Sequence, residues 1–177
     1  MKLLVSEPGR LVVQLTKRER DEMRAVLQCH GQVPRFGPSI TRGSAEGVPS
    51  DATAMLAEQV LGVWESERAG TLGLLEDAAR CVKGKGGYGL QVTEDEAERL
   101  LRALNGARVA FWEALGSPDF EAGERVEGTE RNRALVALME LAGSYVGRWL
   151  ACLGGGKPVG SEEEKEDEEE KEEGEGP

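Results

Sequence analysis

The chain has 177 residues, 31% of them charged and 39% hydrophobic, with a single histidine and a formal net charge of −11 at pH 7. That charge is concentrated: positions 161–177 hold 11 Asp/Glu and two Lys, leaving residues 1–160 with 22 acids against 20 bases. A near-neutral body without a basic patch argues against a nucleic-acid binder. Three widely spaced cysteines, Cys29, Cys81 and Cys152, suit reduced thiols rather than a disulfide framework.

The chain opens with two short apolar runs, at 2–5 and 11–15, around Pro8-Gly9. That pair suits the central positions of a type II turn, so a β-hairpin is predicted. Thr16 follows, with Glu19 three positions on. In this pattern the hydroxyl caps a helix while the carboxylate returns to the cap's own amide. A first helix is predicted over about 17–29, with Met23, Val26 and Leu27 inward and Gly31 ending it. Residues 31–50 carry three Pro and four Gly without periodicity and read as a long loop.

Ser50 caps a second helix, whose stripe of Met55, Leu56, Val60, Val63 and Trp64 is expected to face the core. A third helix is predicted from about 71 to 83, with Leu72, Leu75, Ala79 and Val82 on one face. Leu90-Gln91-Val92 reads as a short strand, Thr93 and Glu96 as a second capping box, and a fourth helix runs to Leu115. In the acidic connection that follows, Ser117-Pro118 can start one further helical turn. The last helix, about 130–153, is the most apolar and is expected to be the central one. Glu140 and Arg148 interrupt it, so no span of the roughly 20 residues a membrane helix needs is expected. Three apolar residues ahead of Glu7 are too few for a secretory leader.

The fold expected is mainly α with a minor β part. About five helices form a bundle over residues 1–153, and a small N-terminal β-hairpin or sheet is joined by a short strand near 90–92. A Gly-rich linker at 154–160 then leads to a disordered acidic tail at 161–177. A soluble, cytoplasmic chain is expected. Two phrases nearly repeat, "LVVQLTKRERDEM" from Leu11 and "YGLQVTEDEAERL" from Tyr88. They are either common punctuation met twice or a pseudo-repeat whose two strands lie side by side in one sheet.

No residue pattern amounts to a catalytic or metal signature. Cys29 and His30 are adjacent on a helix and diverge by about 100°, so they do not form a thiolate–imidazole pair. One histidine without Cys-x-x-Cys does not make a zinc site, and it cannot supply the Glu-x-x-His repeats of a di-iron bundle. Gly-Lys-Gly-Gly-Tyr-Gly at 84–89 matches a dinucleotide loop by letter but is read as a turn from a helix into a strand, the wrong order for a phosphate at a helix N-terminus. Trp64, Trp112 and Trp149 read as core, and Glu94, Asp95, Glu96 and Glu98 as acids at a helix start. No cofactor is expected. Asn105-Gly106 in mid-helix is less easily dismissed, because Gly there costs about 1 kcal/mol relative to Ala. A close helix crossing at Gly106, matched by Gly143 and Gly147 with Arg108 nearby as a polar contact, makes Asn105, Gly106 and Arg108 the candidate interaction or packing positions.

"QVTEDEAERLLRALNGARVAFWEALG" resembles a bacterial, mostly actinobacterial, family catalogued as domain-of-unknown-function family 2017. The resemblance rests on a strand–Thr-x-x-Glu opening followed by a Leu-x-x-Leu-Asn-x-x-Arg helix, matched by Leu101, Leu104, Asn105 and Arg108. It extends more loosely from Leu11 to Leu153, with Gly106 where an acidic residue is commoner. It implies a small, mostly helical bacterial protein with genes often near a Clp protease adaptor, and no reaction. The function expected is a non-enzymatic helical protein–protein interaction module, adaptor or regulator. Its partner is expected to be a protein, and a basic one could be engaged by the acidic tail. Neither nucleic acid nor membrane is expected, and there is room for a homo-oligomer. The alternative is a hydrolase or small-ligand enzyme whose site is scattered beyond what one sequence displays.

Overall fold

The computed structural model describes residues 1–33 and 50–154, without the side chains of 50–54 and 57. The acidic tail, the linker beyond Gly154 and most of the loop read over 31–50 lie outside the described residues. The elements in chain order are β1 (Lys2–Glu7), β2 (Arg10–Leu15), α1 (Lys17–His30), α2 (Ser50–Glu76), β3 (Cys81–Gly84), β4 (Gly87–Val92), α3 (Glu94–Ala114) and α4 (Glu130–Leu153). The fold is mainly α with one small antiparallel sheet ordered β1-β2-β4-β3.

Four helices, not five, make up the described residues. The second and third predicted helices are one element, because α2 runs through Gly70 without a break. A Cβ at Gly70 would stand 3.2 Å from Arg99 Cδ, so the glycine marks a site where an α3 side chain packs and not a helix end. Asp77 then stops the helix. Its carboxylate accepts from Ala79 N–H at 2.8 Å and its carbonyl from Cys81 N–H at 2.7 Å, turning the chain into β3. The helix predicted over 71–83 therefore ends early, and Gly84–Gly89 is a strand-to-strand hairpin rather than a helix-to-strand turn. The extra turn expected at Ser117-Pro118 is also absent; the helical signal there gives way to a turn at 119–124.

The two near-repeated phrases pair with each other. The offset that carries Val13 to Leu90 also carries Arg10–Leu15 onto Gly87–Val92, and the two strands run antiparallel at the centre of the sheet. Val13 pairs with Leu90, its own counterpart, and Leu11 pairs with Val92 while Leu15 pairs with Tyr88. This is the register a two-fold axis through Val13 and Leu90 requires. The same offset relates the hairpin glycines with positive φ, Gly9 and Gly86, and the caps Thr16 and Thr93. It also relates the helix ends Glu76 and Leu153. The protein is two hairpin–helix–helix units, β1β2α1α2 and β3β4α3α4, joined through one continuous sheet.

One face of the sheet is covered. Alternation puts Leu11, Val13 and Leu15 of β2 and Leu90 and Val92 of β4 into the core, beneath Met23, Val26 and Leu27 of α1 and Leu100 and Leu104 of α3. The central helix is α3, not α4 as expected: α3 lies against α1, α2 and α4. α4 buries only one stripe, Leu135, Ala142, Tyr145 and Trp149, and leaves Leu150 exposed. By length and composition α4 is nevertheless apolar enough to cross a membrane, at 24 residues with a mean hydropathy of 1.2 in its most apolar window, despite Glu140 and Arg148. No other helix among the described residues passes that test.

Candidate functional site

Two ends of the molecule have different chemistry. At the sheet end the polar groups are consumed by the fold. Thr16 Oγ1 accepts from Glu19 N–H at 3.1 Å and Glu19 Oε2 accepts from Thr16 N–H at 2.7 Å, the capping box expected from sequence. The same carboxylate, on a residue only 5% exposed, also accepts from Arg148 at 2.6 Å and from the Met1 ammonium at 2.5 Å. One turn on, Glu22 accepts from the Tyr145 hydroxyl at 2.5 Å and from Arg18 at 2.6 Å. Burial alone would raise the Glu19 carboxyl, but the ammonium and the Thr16 bonds outweigh it and hold it below its usual range. The Tyr145 and Arg18 bonds hold Glu22 down, while burial and the Glu22 carboxylate push the Tyr145 hydroxyl far up. A tyrosine so held stays protonated, and this cluster locks α1 to α4.

At the opposite end, an apolar helix face is left in solvent. α2 and α3 run antiparallel: Trp64 lies against Gly106, while Glu67 meets Arg102 at 3.1 Å and Arg99 at 3.5 Å. The first half of α2 therefore reaches toward the C-terminal end of α3. There Met55 is 63% exposed, Leu56 46% and Val63 55%. These three span about 100° of the helix circumference at 100° per residue. The turn after α3 lies at this same end. It is anchored by Trp112 Nε1 donating to Pro118 O at 3.0 Å and built on Asp119, whose carboxylate accepts from Ala122 N–H at 2.9 Å and whose N–H donates to Glu124 at 2.7 Å. Phe120 stands at its tip, 45% exposed.

Of the positions singled out from sequence, Gly106 is buried in α3 and faces the Trp64 ring, with a Cβ there 3.7 Å from the indole. The crossing partner is thus α2 and not the Gly143–Gly147 pair. Gly143 receives instead the stem of Arg108, whose Cδ lies 3.6 Å from the Cβ position, and among the described residues nothing comes within 4 Å of a Cβ at Gly147. Asn105 is exposed on the outer side of α3. Asn105, Gly106 and Arg108 therefore do not converge on one site; two of them set helix packing.

His30 is fully buried, its ring 6.5 Å from that of Trp64 and 6.4 Å from that of Phe111. Among the described residues no group of three His, Cys, Asp or Glu is arranged to hold a metal ion. An open depression of about 290 Å³ lies along the first half of α4, lined by Val126, Glu127, Asn132, Arg133, Val136 and Glu140 among others, and His30 is not one of them. Burial pushes the thiols of Cys81 and Cys152 up, away from a reactive thiolate.

Sequence reasoning placed Met55, Leu56 and Val63 in the core, and the structure places them in solvent. The signal was present: Met55, Leu56, Val60, Leu61, Val63 and Trp64 together cover about 240° of the helix, more than one packing face can bury. The Glu19–Arg148 and Glu22–Tyr145 contacts join residues 129 and 123 positions apart, and no local spacing announces them. No family model, curated protein or solved structure matches the chain.

Proposed function

We propose that this protein is a helical protein–protein interaction module, an adaptor or regulator working in the cytoplasm, with the first half of α2 as its docking face. One observation carries the reading. By the offset that relates the two units, Met55, Leu56 and Val63 correspond to Asn132, Arg133 and Glu140 of α4. The second unit has polar side chains at these positions, as an exposed face normally does, and the first unit has large apolar ones. Three exposed apolar side chains within about 100° of one helix, with only the exposed Gln59 between Met55 and Val63 on that face, mark a contact surface. The resemblance to domain-of-unknown-function family 2017 accords with this reading and adds no reaction to it. The acidic tail supplies a second, longer-ranged contact for a basic partner.

A photo-crosslinking residue at Met55 is expected to capture a discrete protein in cells, whereas one at Lys83, exposed at the sheet end, captures none. Equal capture at both positions, or none at either, overturns the reading.

A further inference from the structure

The surroundings of the exposed α2 face identify the chemistry of what it takes. Residues 55–66 and 115–129 together carry six carboxylates, Glu58, Glu65, Asp119, Glu121, Glu124 and Glu127, against one base, Arg125. Glu65 is paired with Arg68, one turn further along α2. On the helix wheel Glu58 and Glu65 lie about 60–80° to one side of Met55, so they flank the apolar face rather than interrupt it. The antiparallel seam with α3 brings the acidic turn carrying Phe120 to the same end.

We propose that this face binds a basic amphipathic helix of a partner protein. The partner's apolar stripe lies on Met55, Leu56 and Val63, and its Lys or Arg flank meets Glu58 and the carboxylates of the 119–127 turn. The inference rests on the interaction reading above and adds the partner's class. Leu56 and Val63 stand two helical turns apart, the spacing at which a helix presents one seam to another helix. The charge selects among occupants. The acidic excess that remains once Arg68 is paired with Glu65 and Arg125 is set against the turn disfavours nucleic acid and anionic bilayers, the two other surfaces that an exposed helix commonly meets. A second copy of this chain is also disfavoured, because antiparallel pairing of two such faces brings Glu58 and Glu65 to the same side as their own copies.

The test uses the full chain and two short synthetic helical peptides with the same leucine stripe, one with lysine and one with glutamate on its polar face. Binding is read by fluorescence anisotropy at physiological salt, with wild type and with Met55→Asp/Val63→Asp. Sedimentation and melting are recorded alongside, with Leu56→Gln as a milder variant. The lysine peptide is expected to bind wild type, to lose at least about tenfold in affinity on the double variant and a smaller factor on Leu56→Gln, and to outbind the glutamate peptide by at least about tenfold. Equal binding to wild type and both variants would mean that charge alone attracts the peptide, and overturns the proposal. So does equal affinity for the two peptides, or a wild-type dimer that the double variant dissolves, in which case a second copy covers the face. Binding of the glutamate peptide alone overturns the proposed partner class but leaves the docking face standing. Failure of both peptides, together with no capture at Met55, removes the interaction reading itself.

Discussion

The two units of the molecule start from the same local instructions and end under different loads. Each has a hairpin turning on a positive-φ glycine, a strand that enters the common sheet, and a threonine-capped helix closed by a glutamate three positions on. In the second unit Glu96 does the local task, accepting from Thr93 N–H at 2.8 Å, and adds one ion pair with Arg80, the residue just before β3. In the first unit Glu19 does the same local task while holding Arg148 of the far helix and the N-terminal ammonium, nearly out of solvent. The helices differ too: α1 has 14 residues and buries five of them, whereas α3 has 21 and buries eight, so α3 carries more of the core although both touch every other helix. A repeated motif thus fixes where a helix begins, and long-range neighbours decide what that beginning is worth.

The sharpest way to break the comparison is at the core. Trp149, fully buried with its Nε1 donating to Ala97 O at 3.2 Å, corresponds to Leu72, which is only partly buried. Trp149→Ala is expected to cost roughly 3–5 kcal/mol and Leu72→Ala about 1–2 kcal/mol, read from urea midpoints at constant m. Equal costs would mean that the two units are equally loaded. Next come the capping glutamates. Glu19→Ala should lower stability by about 2–3 kcal/mol, since hydrogen bonds to a charged, buried group are lost together, and Glu96→Ala by about 1 kcal/mol. A reversed order would show the Arg148 contact to be idle.

The same carboxylates set the acid limit. Glu19, Glu22 and Glu96 all have folded-state pKa values below their usual range. Their contribution is therefore complete above an unfolded value near 4.3 and is lost as pH falls through the folded values. The melting temperature should stay level from pH 7 to about 5 and drop below about 4, and the acid drop should shrink in Glu19→Ala more than in Glu96→Ala. A smaller effect has the opposite sign. Gly106 corresponds to Cys29 of α1, and a methyl there meets the Trp64 ring at an ordinary 3.7 Å. Gly106→Ala should stabilise by up to about 1 kcal/mol through helix propensity, and a destabilised variant would show the α2–α3 seam to be tighter than its geometry. Least of all, Met55→Asp should move stability by no more than about 0.5 kcal/mol, because the side chain buries little.

These contrasts explain which parts of the fold were legible in the chain. The capping boxes and the N-terminal hairpin rest on residues within a few positions of one another, and the pairing of the two similar strands rests on their likeness; each is present. Gly70 misled because a glycine in a helix can mark either an end or a packing site, and only Arg99, on a different helix, decides between them. Val82 belongs to a helical stripe by spacing but to a strand by its partner Gly89. The candidate site was the hardest to read. An apolar side chain on a helix looks the same in sequence whether its neighbour belongs to its own chain or to another.

The central sheet seam also sets the order in which the protein can assemble. Each hairpin closes over a turn of a few residues, a microsecond event, but the β2–β4 ladder joins distant parts of the chain, Val13 with Leu90 at its middle, through a loop that contains two helices. On the ribosome the first unit must wait, with Leu11, Val13 and Leu15 lacking their partner strand, until Val92 has been made. A chain dominated by helices therefore carries the slow, non-local closure step of a β protein, and its folding rate should lie below that of a helical bundle of the same length.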